Sequence, residues 1–320
     1  MGLGLKAAAG LVLAILAAGA VAQAYPSRPV HLIVPNATGG LADICARLVA
    51  AKLGETLGQS FLVENRPGAG GTLGTAAAVK AAPDGYTLLA VFDSHATNPA
   101  LFASLPYDTL ADLAPVSLLA RGPLVLVVRP GLGAADVAEF VKLARSKPGA
   151  INFATVGPGS PARLLMELFR LEAGIDVTMV DYKGAVTALA DLVGGQVDAM
   201  FATVPSVSPH LKAGRLRALA ITSSRTSAVL PGVPAMSETY PGFVSEAWVG
   251  LLAPARTPPD IVARLNAEVA TILERPDMKT RFAELGLEAA PGTPEQLDRW
   301  IRAEMERWGR VIRERKIAIE

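Results

Sequence analysis

The sequence predicts an α/β protein with a mostly parallel sheet, and two observations support this fold class. Hydrophobic residues make up 51% of the 320-residue chain and aromatic residues only 5%, a balance typical of helix-on-sheet layers rich in Ala, Val and Leu. Short apolar runs also alternate with helix-length amphipathic segments along the chain, which is the pattern of βαβ units. No fixed-period repeat interrupts this alternation.

The first 24 residues precede this pattern and are expected to form a secretory signal. They contain one early lysine, an apolar run and the small-x-small sequence Ala22-Gln23-Ala24 that a signal peptidase recognises. The alternative is a membrane anchor, but the apolar run is short for a span of about 20 residues and a proline-rich segment follows it at once. We therefore expect a periplasmic protein, secreted through a signal peptide at residues 1–24.

The alternation begins immediately after this segment. The predicted strand and helix pairs are His31–Val34 with Ala42–Leu57, Phe61–Val63 with Leu73–Ala81, Leu124–Val128 with Ala134–Arg145, Asn152–Thr155 with Ala162–Ala173, Val177–Val180 with Ala185–Val193, and Asp198–Thr203 with Val207–Ala213; Thr87–Val91 is a strand followed by a loop. Three C-terminal helices, each with proline in its first turn, are predicted at Pro258–Glu274, Pro276–Leu285 and Pro294–Arg313.

Two extended segments indicate how the chain divides into domains. Gly122–Gly131 and Ser245–Pro259 lie between the two halves and would connect them. We expect domain 1 to comprise residues 25–123 plus 250–320 and domain 2 residues 124–249. Two such crossings can form a hinge, expected at Gly122–Val128 and Ala247–Pro254.

Charge and cysteine content exclude several classes of function. Lys6 is the only charged residue among the first 24, so the mature chain carries 29 basic and 29 acidic residues. This neutrality argues against nucleic acid as a partner. Cys45 is the only cysteine, so neither an internal disulfide nor a multi-cysteine zinc site can form.

The stretch from Ile33 to Leu48 passes from a strand through a glycine pair into a helix. Such a turn directs unpaired backbone N–H groups and the positive end of a helix dipole toward the same place, which predicts a cradle for an anion. Small residues are needed because a bulky side chain would block the approach of the ligand. The candidate binding residues are Asn36, Ala37, Thr38, Gly39 and Gly40. The alternative is a tight turn without a ligand, and Asp43 is expected to cap the helix or compensate its dipole.

Similar loops follow the other strands, and ligands of open α/β sheets bind at the carboxyl ends of strands. Each loop also has an ordinary structural alternative: a plain polar loop at residues 93–99, a helix N-cap for Ser160, and a solvated lysine for Lys183. The remaining candidate ligand-binding residues are Ser94, His95 and Thr97; Gly157, Gly159 and Ser160; Asp181, Tyr182, Lys183 and Gly184; and Phe201 and Thr203.

Motifs for catalysis and cofactor binding are weak or missing. Residues 66–74 fail the G-x-G-x-x-G spacing of a dinucleotide site. Residues 157–162 fit a looser form of that motif, but Pro158 and Pro161 remove N–H groups that a pyrophosphate would need. His31, His95 and His210 have no carboxylate at metal or triad spacing. We expect no cofactor, no metal and no catalytic residue.

Seven blocks of sequence, in order, resemble the Bug or TctC-type periplasmic solute-binding receptors of tripartite tricarboxylate transporters. The resemblance covers nearly the whole mature chain. The blocks are YPSRPVHLIVPNATGGLADICARL, VENRPGAGGTLGTAAAVKAAPDGYTLL, SHATNPAL, YDTLADLAPVSLLA, YKGAVTALADLVGGQVDAMF, KAGRLRALAITSSR and WVGLLAPARTPPDIVARLN.

This resemblance implies a two-domain Venus-flytrap fold of the periplasmic-binding-protein type II with the ligand in the interdomain cleft. It implies a small organic acid as ligand (an amino acid, a dicarboxylate, a tricarboxylate or an aromatic acid) and the membrane permease subunits of the transporter as partners. Three departures from the family pattern stand out: Asn36 where an aromatic residue is usual, Asp181 where proline is frequent, and Val233–Glu238, which varies the usual proline-threonine pattern. Asp181 would favour ligands with a donor group if it faced the cleft; otherwise it points outward or caps the next helix.

Three functions remain open at this point. The leading hypothesis is a receptor that delivers a carboxylic acid to a transporter. A sensor that reports the ligand to a membrane signalling protein would use the same cleft. An enzyme acting on a small carboxylic acid would need a reacting pair, for which the sequence offers only His95 and Asp181.

Overall fold

The computed structural model describes residues 25–157, 160–224, 229–314 and 316–317, so the expected signal peptide lies outside the described residues. The strands are β1 (Val30–Val34), β2 (Phe61–Asn65), β3 (Thr87–Phe92), β4 (Leu113–Val128), β5 (Asn152–Thr155), β6 (Thr178–Asp181), β7 (Ala199–Thr203), β8 (Arg217–Ile221), β9 (Glu246–Pro254) and β10 (Glu288–Ala289). The helices are α1 (Leu41–Leu57), α2 (Thr72–Val79), α3 (Ser94–Leu101), α4 (Val137–Ser146), α5 (Pro161–Ala173), α6 (Ala185–Gly194), α7 (Val204–Lys212), α8 (Met236–Thr239), α9 (Pro259–Glu274), α10 (Pro276–Glu284) and α11 (Pro294–Glu314).

The strands follow the order β2-β1-β3-β9-β4-β7-β5-β6, and β8 and β10 also pair with β4. Strand β1 is parallel to β2 and β3, and β5 is parallel to β6 and β7. Between these two parallel groups, β9 runs antiparallel to both β3 and β4, and β4 runs antiparallel to β7. The predicted α/β class is confirmed, with a parallel group of three strands in each half of the molecule.

Strand β4 belongs to both halves. Its residues up to Pro123 pair with β9, whereas those from Leu124 pair with β7 and β8. The return connection lies between the end of β8 at Ile221 and the start of β9 at Glu246. All of β9 pairs with β3 or with the first part of β4, so this connection comes earlier in the chain than the expected hinge at Ala247–Pro254.

Alternating side chains of the strands build hydrophobic layers on opposite faces of the sheet. In β3, Leu88 and Ala90 pack into the largest core cluster, while Leu89 and Val91 pack into a second one on the other face. The last part of β4 alternates in the same way, and Val125 and Val127 enter a third cluster. Strands buried on both faces explain the near-continuous apolar runs in the sequence.

Strand β8, helix α8 and strand β10 were not predicted from the sequence. Two further elements differ from the expectation, and both contain proline. Residues 94–101 form helix α3 rather than a loop, although Pro99 inside it cannot donate a backbone hydrogen bond. Packing against α11 stabilises this helix. Strand β4 starts at Leu113 rather than Leu124, and its pairing with β9 shifts register between Pro115 and Ser117, an irregularity of the kind that accommodates proline in a sheet.

Candidate functional site

The loop that follows β1 contacts the loop and helix start that follow β6. A Cβ built on Gly184 would lie 3.3 Å from the Cβ of Ala37, and one built on Gly39 would lie 3.5 Å from Cγ2 of Val186. The residues that follow β1 in one half therefore contact those that follow β6 in the other half. Both loops lead directly into helices, α1 and α6.

The first loop ends in an open helix N-terminus. Gly40 is the N-cap of α1 and provides no side-chain cap, and the first helical hydrogen bond runs from the N–H of Ile44 to the carbonyl of Gly40. The helix itself therefore offers no acceptor for the N–H groups of residues 41–43. Gly39 has φ +82°, a conformation that L side chains rarely adopt, which explains the glycine at this position.

The side chain of Asp43 fixes the conformation of this loop by hydrogen bonds. Its carboxylate accepts hydrogen bonds from the N–H of Gly39 (2.9 Å), from Nε of Arg47 (3.0 Å) and from Nδ2 of Asn65 (3.0 Å). Burial alone would raise the pKa of this carboxyl, but the three donors outweigh burial and hold the pKa below its usual value. Asp43 therefore carries a negative charge at neutral pH, in contact with the loop that is expected to bind an anion.

The second loop provides a similar helix N-terminus. Gly184 is the N-cap of α6 without a side-chain cap, and the first helical hydrogen bond runs from the N–H of Ala188 to its carbonyl at 3.3 Å. The N–H groups of residues 185–187 thus have no acceptor within the helix. Because Gly184 contacts Ala37, two uncapped helix N-termini from opposite halves lie close together. Their dipoles both favour negative charge there.

The carboxylate of Asp181 has two partners and is not the cap of α6. One of its oxygens accepts a hydrogen bond from the Thr155 hydroxyl, and the other forms an ion pair with Nη1 of Arg163 at 2.5 Å. The side chain remains 44% exposed, and a contact with a ligand stays a prediction, for a carboxylate that already has a positive partner. Arg163 was missed at the sequence level, since its pairing with Asp181 joins α5 to β6 across 18 positions of the chain.

Tyr182 and Lys183 occupy different environments. The Tyr182 hydroxyl donates to Oδ2 of Asp191 at 2.7 Å, and desolvation together with this carboxylate raises the pKa of Tyr182 to about 12. Its backbone N–H bonds the carbonyl of Thr155, which extends the pairing of β5 and β6 by one residue. Lys183 is exposed, one position before the N-cap of α6.

Ser94, His95 and Thr97 lie on the buried helix α3, not on an exposed polar loop. His95 is only 3% exposed, and neither ring nitrogen has a hydrogen-bond partner among the described residues. Burial lowers the pKa of His95 to about 4, so the imidazole is neutral at physiological pH. Thr97 donates its hydroxyl hydrogen to the carbonyl of Ser94.

The remaining predicted site residues have mixed outcomes. Ser160 is the N-cap of α5 and accepts a hydrogen bond from the N–H of Arg163, and Thr203 is the N-cap of α7. Gly157 has φ +89° with open space around it, and Gly159 lies outside the described residues. Phe201 is 1% exposed and packs against Phe153, Phe169 and Phe243. The expectation that the Phe201 ring lines the cleft is therefore wrong, because the ring belongs to the aromatic core.

Comparison with known proteins places this architecture in a family. A family model described as the tripartite tricarboxylate transporter family receptor, TctC, matches residues 45–317. The chain belongs to the TctC receptor family. The resemblance noted from the seven sequence blocks is thereby confirmed, and so is the two-domain Venus-flytrap fold.

Individual TctC receptors match over nearly the full chain. Protein BugT of Bordetella pertussis is 42% identical over 302 residues, which cover 93% of this chain and 93% of BugT. The structure of Rhodopseudomonas palustris MatC with bound malate has a TM-score of 0.85 and 38% identity, covering 90% of this chain and 100% of MatC. That of R. palustris Rpa4515 with adipate has a TM-score of 0.89 and 35% identity, covering 92% of this chain and 99% of the other.

No helix in the described part of the chain combines the length and the apolar character needed to cross a bilayer. Within the same residues, no group of three or more His, Cys, Asp or Glu side chains could hold a metal ion. TctC proteins are periplasmic solute receptors, and this family assignment supports a binding function over catalysis.

Proposed function

We propose that this protein is an extracytoplasmic receptor that binds a small carboxylic acid, foremost a dicarboxylate, between the loops after β1 and β6 and delivers it to a tripartite tricarboxylate transporter. The observation that carries the proposal is the pair of uncapped helix N-termini, at Gly40 and Gly184, brought together by the contact between Ala37 and Gly184. Each N-terminus offers N–H groups and positive dipole charge suited to one carboxylate.

The relatives support this choice of ligand. MatC is described with bound malate and Rpa4515 with adipate, and both are dicarboxylates of different length. Two anion-binding helix ends, one from each half, fit an acid with a carboxylate at each end better than a monocarboxylate. The family also supports the membrane permease as partner and secretion through a signal peptide at residues 1–24.

The site we propose consists of the two loops and their helix N-termini. It comprises residues 36–40 in one half and residues 182–184 in the other, and we propose Ser94, His95, Thr97, Gly157, Ser160 and Thr203 as further contributors. We propose residues 25–123 and 250–320 as one lobe and residues 124–249 as the other. The change of partners in β4 after Pro123 supports the first of these boundaries.

A receptor is favoured over an enzyme because the only reacting pair that the sequence offered is not available. His95 is buried and neutral, and the carboxylate of Asp181 is paired with Arg163. A general base must reach the proton it removes, and neither group is arranged to do so.

Native mass spectrometry of protein purified without refolding tests the proposal. We expect a bound species with the mass of a small organic acid, released on denaturation, and a rise in melting temperature when dicarboxylates are added. A ligand at about 100 times its Kd stabilises a protein by about 2.7 kcal/mol. A protein that carries no acid and is stabilised by none of the dicarboxylates tested would contradict the proposal.

A further inference from the structure

The loop that ends in Gly40 is held by a network of three side chains, the buried Asp43 and the more exposed Arg47 and Asn65, which we call the Asp43 network. Besides the hydrogen bonds to Asp43, Nη2 of Arg47 donates to Oδ1 of Asn65 at 2.9 Å, which closes the network into a ring. Nδ2 of Asn65 also donates to the carbonyl of Asn36 at 3.1 Å. The network thus fixes the loop near both of its ends, at Asn36 and at Gly39.

The chemistry of this network requires a carboxylate at position 43. One oxygen faces the N–H of Gly39, and the other faces the donors of Arg47 and Asn65. Asp43 is only 2% exposed, whereas the side chain of Arg47 is half exposed. An amide in the same place would direct its NH₂ group at a donor whichever way it is turned, so at least one of the three donors would lose its acceptor at position 43.

We infer that Asp43 is a positioning residue for ligand binding: through Gly39 and Asn65 it holds the turn in the conformation that directs the free N–H groups of α1 toward the ligand. This inference rests on the proposed function. Asp43 contacts the loop rather than the ligand, and its role differs from that of an ordinary helix cap because the N–H it binds, that of Gly39, precedes the N-cap Gly40.

A positioning role and a purely electrostatic role of Asp43 predict opposite changes in ligand affinity when its charge is removed. A negative charge beside an anion site repels the ligand, so removal of the Asp43 charge should by itself strengthen binding of an acid. It would also leave the guanidinium of Arg47 without its carboxylate. Loss of positioning acts in the opposite direction, because a disordered turn presents its N–H groups less often in the binding arrangement.

Asp198 provides a matched control for substitution of Asp43 by Asn. Its carboxylate is 7% exposed and accepts hydrogen bonds from Nε of Arg129 (2.7 Å) and the N–H of Asn152 (2.8 Å). It precedes β7, at the end of the sheet opposite to the site loops. Asp43→Asn and Asp198→Asn therefore both remove a buried, hydrogen-bonded charge, but only the first touches the loop.

The experiment measures two properties of the wild type, of both variants and of Asn65→Ala, which keeps the charge of Asp43. The first is the affinity for a dicarboxylate by calorimetry, and the second is amide exchange at residues 36–42 in the ligand-free protein by NMR. We expect at least tenfold weaker binding and faster exchange of the Gly39 amide in Asp43→Asn and Asn65→Ala. We expect Asp198→Asn to bind within about twofold of the wild type and to exchange normally in this loop.

Unchanged or tighter binding in folded Asp43→Asn would overturn the inference, and so would an affinity loss equal to that of Asp198→Asn. If Asp43→Asn does not fold, Asn65→Ala decides the question by the same two criteria. If the wild type itself binds no carboxylate, the proposed function fails. The exchange of the Gly39 amide in the ligand-free variants then still decides whether the Asp43 network holds the turn.

Discussion

His95 is a buried imidazole whose protonation is linked to folding. Its pKa is about 4 in the folded protein against about 6.5 for an unperturbed histidine, so between these values the unfolded chain binds a proton that the folded protein does not. The stability contributed by the neutral ring is thus present above pH 6.5 and is lost as the pH falls toward 4. The loss approaches about 1.4 kcal/mol per pH unit.

His95→Gln should remove this dependence. We expect the unfolding free energy of the wild type, measured with urea, to decline relative to that of His95→Gln between pH 6.5 and 4.5. The pKa of His210 is also lowered, by burial and by Arg215, but it is common to both proteins and cancels in the difference. A difference that stays constant over this range would show that His95 titrates normally.

Asp181 is the second residue for which the structure changes the expected behaviour. Because its carboxylate neutralises Arg163, Asp181→Asn would leave an uncompensated guanidinium at the edge of the sheet that carries the site. An added positive charge in a partly exposed position contributes on the order of 1 kcal/mol, about fivefold in affinity. Calorimetry should therefore show tighter dicarboxylate binding and little change for an amino acid. Weaker dicarboxylate binding would contradict this prediction and would mean that the ion pair of Asp181 with Arg163 maintains the conformation of the site.

The roles of residues that depend on the local backbone could be predicted from the sequence, whereas roles that depend on contacts between distant segments could not. The glycine turn was predictable because a positive φ and a close contact both favour glycine, which is visible in the local sequence. Gly39 has both features. The pairs of Arg163 with Asp181 and of Asp43 with Asn65 were not, since each joins separate elements and is fixed only when the sheet brings them together. Phe201 was assigned to the cleft because its strand leads there, but inward alternation places the ring in the core.

At the scale of elements, Thr222 links the two connections between the halves. Its hydroxyl accepts a hydrogen bond from the N–H of Leu124 in β4 and donates to the carbonyl of Ser245, just before β9. Thr222 is fully buried. The side chain therefore bridges both segments at the position where the chain passes from one sheet group to the other.

Thr222→Val keeps the shape of this side chain but removes the hydroxyl. The N–H of Leu124 and the carbonyl of Ser245 would then lose this partner, which we expect to lower the unfolding free energy by about 1–3 kcal/mol. Thr222→Ser, which retains the hydroxyl, is the control and should lose less. Chemical denaturation measures both. A loss in Thr222→Val no larger than that in Thr222→Ser would mean that the two hydrogen bonds stabilise the fold no more than the methyl group does, contrary to the prediction.

Most elements with a clear period were predicted near their observed positions, whereas β8, α3 and the first part of β4 were not predicted. The strands and helices of the βαβ units were found near their predicted positions because apolar periodicity is strong in strands buried on both faces. Helix α3 was missed because Pro99 and several polar residues obscure a helix that depends on packing against α11. The first part of β4 was missed because Pro115 suggests a break, which the sheet accommodates by a shift of register.

At the scale of the whole molecule, the two halves are in contact at the site and joined by two connections. We expect the ligand-free protein in solution to open by rotation about these connections, near residues 122–124 and 222–246, and to close on a ligand. Small-angle scattering should show a smaller radius of gyration with saturating dicarboxylate than without ligand. An amine of similar size serves as a control and should leave the profile unchanged. Identical profiles with and without dicarboxylate would contradict closure on the ligand.

We expect the paired helix N-termini at the glycine turns to bind a carboxylic acid, and calorimetric titration of ligand-free protein with a dicarboxylate panel measures this binding. Gly39→Val is the decisive variant, because Gly39 has φ +82° and adjoins Val186. Gly58→Val is its control, since Gly58 has φ +69° with nothing within 4 Å and caps the far end of α1. Both valines strain the backbone, but only one lies in the site.

We predict one-to-one binding by the wild type, at least tenfold weaker binding by Gly39→Val, and wild-type affinity in Gly58→Val. No binding of any dicarboxylate by the wild type, or equal affinity in the wild type and folded Gly39→Val, would contradict the account.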